Sequence, residues 1–196
     1  MIQFRRLGSL LLGLWLGANI AVDLAVTQNF STVDRFLASP GSVATSVQLN
    51  KIGRVDAREI LRRNAAEENN FLFENFEIVE AFLGAVMFLL FLFGDRPQVS
   101  MLAMTALMLA IVLTQHFALS PQVAAIGRNI AGLPKESAEV KKFWMFHGFY
   151  SAAELAKIGI GIIFAVRLTF RKKEDPNHFK REYEASMKIK SVKKAG

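Results

Sequence analysis

Eight ionisable residues lie inside, or at the mouths of, apolar stretches: Asp23, Glu74, Glu77, Glu80, His116, His147, Glu154 and Lys157. Carboxylates, imidazoles and an ammonium in such surroundings are chemically charged with meaning, because an ionised group in a bilayer core costs ~2.5–3.5 kcal/mol on insertion scales. Glu74-x-x-Glu77-x-x-Glu80 places three carboxylates within an arc of about 120° on a helix. Lys157 follows Glu154 by three residues, within ion-pair reach on one helix face. An unpaired ammonium near mid-span is disfavoured, so Lys157 is expected to pair with Glu154 or, across the bundle, with Glu80.

Four chemistries fit these residue types. The first is a satisfied polar network that ties helices together. The second is a proton or small-solute site, since Glu, His and Lys sets relay protons. The third is a metal or haem site: carboxylates with imidazoles suit iron, manganese or zinc, and His116 with His147 would offer two haem ligands. The Glu-x-x-His signature of di-iron bundles is absent, and no cofactor is expected. The fourth is a membrane enzyme using an acid–base pair. With no cysteine in the chain, disulfides and thiolate metal sites are excluded.

These residues need elements that hold them. The chain has 196 residues, of which 52% are hydrophobic and 21% charged. The two classes are segregated along the sequence, which predicts an all-α polytopic membrane protein rather than a soluble core. A helix of about 20 apolar residues crosses the hydrocarbon core. Four such spans are expected, at about 7–27, 71–94, 98–119 and 143–170. They form a four-helix transmembrane domain over residues 1–170, followed by a basic tail, 171–196. The first span follows Arg5-Arg6 and outruns a signal peptide, so it is expected to be a retained anchor. Gly13 and Gly17 within it have the small-xxx-small spacing of a packing seam. Met101, Met104 and Met108 in the third span are expected to pack rather than bind copper. Pro121 predicts a stop or kink just after that span.

Residues 28–70 form the longest connection. Residues 29–46, with Pro40-Gly41 and several Ser and Thr, read as loop, and Asp34-Arg35 as a short interfacial turn. From about Gln48 the pattern is helical. Residues 48–70 fit either a surface helix or an extension of the second span.

Alternating hairpins bring the end of span 1, the start of span 2, the end of span 3 and the start of span 4 to one side of the membrane. All eight ionisable residues belong to that half, while the opposite halves, such as Val86 to Phe93 and Leu7 to Leu12, are almost purely apolar. Basic residues orient the bundle. Arg5, Arg6, Arg96, Arg167 and the nine lysines and arginines from Arg171 onward share the side of both termini. Both termini are therefore expected in the cytoplasm, in the plasma or inner membrane. The net charge of +7 is assigned to these flanks and not to nucleic-acid binding. Expected partners are the lipid bilayer, anionic lipid at the tail, and a larger membrane complex or a homo-oligomer.

Leu14-Trp15-Leu16-Gly17, the long first connection, Pro121 and Phe143-x-x-Phe146-His147-Gly148 resemble the transmembrane protein 205-type family, a four-helix membrane domain of unknown function. The similarity spans roughly residues 5–170 and implies four helices. Ser120-Pro121 departs from it, since members often carry an acidic residue before that proline, and the first loop here is longer and more charged. That family is distantly similar to copper-resistance D and membrane-bound protoporphyrinogen-oxidase proteins. Neither activity carries over, because span 1 has no histidine here. The function expected is that of a non-catalytic accessory subunit, or a binding or transport protein with a polar pocket in one leaflet. The alternative is a metal- or haem-binding redox protein using the same cluster.

Overall fold

Each long helix repeats buried positions in steps of three and four. α1 (Ile2–Ala38) buries Gly8, Leu12, Trp15 and Asn19. α3 (Arg54–Leu92) buries Glu77, Glu80, Gly84, Met87 and Phe91. α4 (Val99–Thr114) buries Met101, Thr105, Met108 and Val112, and Gln115 continues its stripe. α6 (Ala138–Phe170) buries Tyr150, Glu154, Lys157, Gly161 and Phe164. A three-four repeat is the seam along which helices pack at shallow angles in four-helix bundles. In the computed structural model, residues 2–94, 99–130 and 132–170 are described. The turn at Asp95-Arg96-Pro97 and the basic tail lie outside them. The bundle belongs to the unit ending at Ala165; Val166–Phe170 simply continue α6 as helix.

Four helices, Arg6–Ala38, Arg54–Leu92, Val99–Asn129 and Ala138–Phe170, are each long and apolar enough to cross a membrane. The fold is an all-α four-helix bundle of the membrane type. Its outer face agrees: Leu10, Leu14, Phe82 and Leu155 are all more than half exposed. In water such a face would be an aggregation site, but in lipid it carries no hydrophobic cost.

Pairings across the bundle fix the helix directions. Trp15 meets Glu80, Asn29 meets Asn69 and Asp34 meets Arg58, so α1 and α3 run antiparallel. Phe91 lies against Phe164 with ring centroids 5.5 Å apart, and Glu80 against Lys157, so α3 and α6 run parallel. Small residues allow close approach. A Cβ on Gly84 would stand 2.9 Å from Trp15 and 3.1 Å from Leu109, and one on Gly161 would stand 2.6 Å from Leu16. Gly13 and Gly17 are a different matter. Among the described residues nothing lies within 4 Å of a Cβ built at either, so the small-xxx-small spacing there is not a seam between the described helices.

The first connection is more helical than its composition implies. α1 runs on to Ala38, where a loop and an interfacial turn at Asp34-Arg35 were expected. The Ser and Thr residues do not break it, because no Pro or Gly occurs before Pro40-Gly41 and α3 supplies a partner. Asn29 donates to Asn69 Oδ1 at 2.6 Å, and Asn69 donates to Val26 O at 3.2 Å. Arg58 and Arg62 both reach Asp34, at 3.0 and 3.4 Å. A short helix, α2 (Val43–Ile52), is capped by Ser42, which accepts from Thr45 N–H at 3.1 Å. Gly53 then turns the chain at φ 91°, a conformation that costs a side chain and costs glycine nothing. From there α3 runs unbroken for 39 residues. Residues 54–70 thus extend the second span as one helix. At 1.5 Å per residue α3 is ~58 Å long, about twice the hydrocarbon thickness.

The third span also continues past its expected end at Leu119. Gln115–Leu119 form a π turn, closed by Ser120 N–H donating to Gln115 O, and α5 (Ser120–Asn129) follows directly. Pro121 lacks an N–H and its ring would crowd the carbonyl four residues earlier. The wider turn accommodates both, so Pro121 opens α5 instead of ending the span. The five-residue step also carries the buried stripe from Gln115 to Ser120 and Ala124.

Candidate functional site

Position follows from these stripes. Trp15 and Asn19 are one turn apart on α1; Glu77 and Glu80 one turn apart on α3; Gln115 ends the α4 stripe; Tyr150, Glu154 and Lys157 step down α6. Where the four stripes meet, two polar groups form.

The inner group is built on Lys157, which is wholly buried. Its Nζ donates to Glu80 Oε2 at 2.6 Å and to Glu154 Oε1 at 2.9 Å, and Gln115 Oε1 lies at 3.4 Å. Gln115 returns the contact, with Nε2 donating to Glu154 Oε1 at 2.8 Å. Glu80 is held on its other oxygen by the Trp15 indole N–H and the Asn19 amide, each 2.6 Å from Oε1. One carboxylate thereby joins α1 and α6 through α3. Buried charges persist only when paired and hydrogen-bonded, and here nearly every polar atom has a partner. The exception is Glu154 Oε2. Among the described residues it is the one buried side-chain polar atom without a hydrogen-bond partner.

The outer group is built on Glu77, also wholly buried. Tyr150 OH donates to Oε1 at 3.0 Å, and Ser120 OH donates to the same oxygen. His116 Nδ1 lies 3.1 Å from Oε2. A carboxylate only accepts, so Nδ1 carries the hydrogen of that bond. The π turn makes this arrangement possible. It aims Gln115 at the inner group while His116 and Ser120 reach the outer one. Phe73 packs edge-on to Tyr150 with centroids 5.3 Å apart and fixes its ring.

Of the eight residues singled out from the sequence, five are in these groups: Glu80, Glu154 and Lys157 in the inner, Glu77 and His116 in the outer. Asp23 is half-buried on α1, one turn beyond Asn19, within electrostatic reach of Glu154 and Lys157. Glu74 and His147 stand apart. Glu74 is exposed on the outside of α3. His147 is exposed and stacks on Phe143, with centroids 5.7 Å apart and planes 9° from parallel. His116 and His147 therefore engage different partners. Among the described residues no three His, Asp or Glu side chains converge in a way that could hold a metal ion.

Sequence reasoning missed Trp15, Asn19, Gln115, Ser120 and Tyr150. A signal for some was present. Tyr150, Glu154 and Lys157 lie at i, i+4 and i+7, and Trp15 and Asn19 at i and i+4.

No family model, curated protein or solved structure matches this chain. Its chemistry must be read from the residues themselves.

Beyond Lys157 the interior changes character. Leu12, Leu83, Met87, Phe91, Met108 and Phe164 are buried there, and the polar Thr105 returns its hydroxyl to Met101 O at 2.9 Å. The polar groups thus end on an apolar plug.

Proposed function

We propose that this chain is a non-catalytic integral membrane protein that acts by binding, and that its inner polar group holds one exchangeable proton. The observation that carries this reading is the unpartnered Glu154 Oε2 beside a group of two carboxylates and one ammonium. That group bears one negative charge more than its lysine neutralises. In a low-dielectric interior an uncompensated charge is costly, and a proton on Oε2 removes it while leaving Oε1 to accept from Lys157 and Gln115. Glu80, which accepts on both oxygens, is the fixed anion of the pair.

Asp23, half-buried and electrostatically coupled to Glu154, is the relay to the surface in this reading. The apolar plug beyond Lys157 supports a site reached from one side, hence binding and not conduction. Charge counting at the helix ends supports cytoplasmic termini and a polar half that faces the outside or periplasm. Membership of the transmembrane protein 205-type family is proposed on the short motifs of spans 1, 3 and 4 alone.

Infrared difference spectroscopy of the reconstituted protein tests the reading. A pH step should produce a carbonyl band of a protonated carboxylic acid, and Glu154→Gln should remove it. A band that survives in Glu154→Gln but vanishes in Glu80→Gln would assign the proton elsewhere. No band at all would leave the group a static tie.

A further inference from the structure

A groove of about 510 Å³ runs along the outside of the bundle where α3 crosses the π turn. Phe71, Ile78, Phe117 and Pro121 form its walls; Glu74, Asn75 and His116 line it. Its polar lining is dominated by acceptors. Among the described residues no cation pairs with Glu74, so its carboxylate is free to accept. Asn75 donates one amide N–H to Phe71 O at 2.7 Å, and its Oδ1 accepts. His116 Nδ1 is engaged by Glu77, which leaves Nε2 as the ring's remaining polar atom. A carboxylate and an amide oxygen stand beside two phenyl rings, and no lysine or arginine lines the groove.

This pattern fits a head that is cationic and rich in N–H donors on a hydrocarbon body. The groove sits where the apolar run of α3 begins, the level of lipid headgroups. Below it, Ile78 and Phe82, one turn apart, are 56% and 67% exposed and extend an apolar track toward the bilayer interior. We propose that the groove binds a membrane lipid with a primary-ammonium headgroup, of the ethanolamine type. Its N–H donors match the Glu74 carboxylate and Asn75 Oδ1, the Phe71 and Phe117 rings favour the cation, and an acyl chain follows Ile78 and Phe82. A choline head has no N–H to donate. An anionic glycerol head would meet Glu74 with like charge.

The test uses the full-length protein, delipidated in detergent, with ethanolamine, choline and anionic glycerol lipids of identical acyl chains, bound lipid being counted by native mass spectrometry. The ethanolamine lipid should bind about tenfold more tightly than the choline lipid, the scale of one charge-assisted hydrogen bond in a partly wet site. Glu74→Gln should shrink that preference to less than about twofold, and Glu67→Gln, a carboxylate on a different patch of α3, should leave it intact. Glu74 is exposed, so the variant should elute and melt like the parent, which separates lost binding from lost folding. Equal binding of ethanolamine and choline lipids, a preference for the anionic lipid, or a preference that survives Glu74→Gln would overturn the assignment.

Discussion

Trp15 and Lys157 grip the same carboxylate from opposite sides: the indole N–H lies 2.6 Å from Glu80 Oε1 and the ammonium 2.6 Å from Oε2. One residue of α3 is thereby tied to α1 and to α6. Helices in a bilayer have little hydrophobic reason to associate, because lipid is as apolar as leucine. Polar ties and close packing of small residues must supply the specificity, and Glu80 with Gly84 one turn below supplies both.

Loss of Lys157 should be worse than loss of the whole ion pair. Lys157→Met leaves the buried Glu80 carboxylate without its cation and should cost about 3–5 kcal/mol. Lys157→Met combined with Glu154→Gln and Glu80→Gln leaves a neutral interior and should recover a large part of that loss. Thermal unfolding of the variants in one detergent measures this. Additive effects would mean that the three side chains do not act as a unit.

Trp15→Phe keeps the ring and removes the N–H. A hydrogen bond to a charged group is worth about 1.5–3 kcal/mol, and Asn19 still holds the same oxygen, so the loss should fall near the lower end. Trp15→Phe with Asn19→Leu should cost more than the two single changes together, because only then is Glu80 Oε1 left bare. A melting series in detergent distinguishes the two outcomes.

The glycines divide into two sets with opposite expectations. Gly84→Ala drives a methyl to 2.9 Å from Trp15, and overpacking of this kind costs about 1–3 kcal/mol. Gly13→Ala and Gly17→Ala meet nothing within 4 Å and should stay within about 0.5 kcal/mol of the parent, or gain helix propensity. A marked loss at Gly13 or Gly17 would indicate a contact outside the described helices.

In the α1–α3 hairpin, Asn69→Leu leaves the Asn29 amide without its acceptor and removes the donor to Val26 O, in a part-buried setting. It should cost about 1–3 kcal/mol. Asp34→Ala breaks two exposed ion pairs and should cost less than about 1 kcal/mol. Chemical denaturation of both variants ranks them; the reverse order would mean that surface charge, not the buried amides, holds the hairpin.

Alternation of four spans makes a topological demand. Reporter fusions after residue 45 and at the C terminus should report opposite compartments. A same-side result would remove the four-span arrangement.

Much of the architecture was legible because each span exceeds the apolar length a soluble helix needs. The pairing of Lys157 was legible too, since a buried ammonium leaves few alternatives. The partners of Glu77 were not. Ser120 and Tyr150 are ordinary residues in membrane helices, and only the meeting of α3, α5 and α6 gives them a role. Residues 28–38 were misread because Ser and Thr weaken helices locally, whereas the antiparallel partner α3 overrides that weakness. Glu74 was grouped with Glu77 and Glu80 because the three share a 120° arc, yet the buried seam runs from Glu77 round through Glu80 to Leu83, away from Glu74, and admits only two of them.

The π turn carries a consequence for how this gene tolerates change in length. A one-residue deletion in residues 102–111 would rotate everything after it by about 100° and swing Gln115 out toward lipid. A deletion in residues 117–119 would convert five residues to four and keep Ser120 and Ala124 in frame, at the cost of the wider turn that makes room for Pro121. The turn is thus an insertion whose phase error is absorbed on the spot, and residues 117–119 are where this span can lose a residue without rotating its buried stripe away from the bundle.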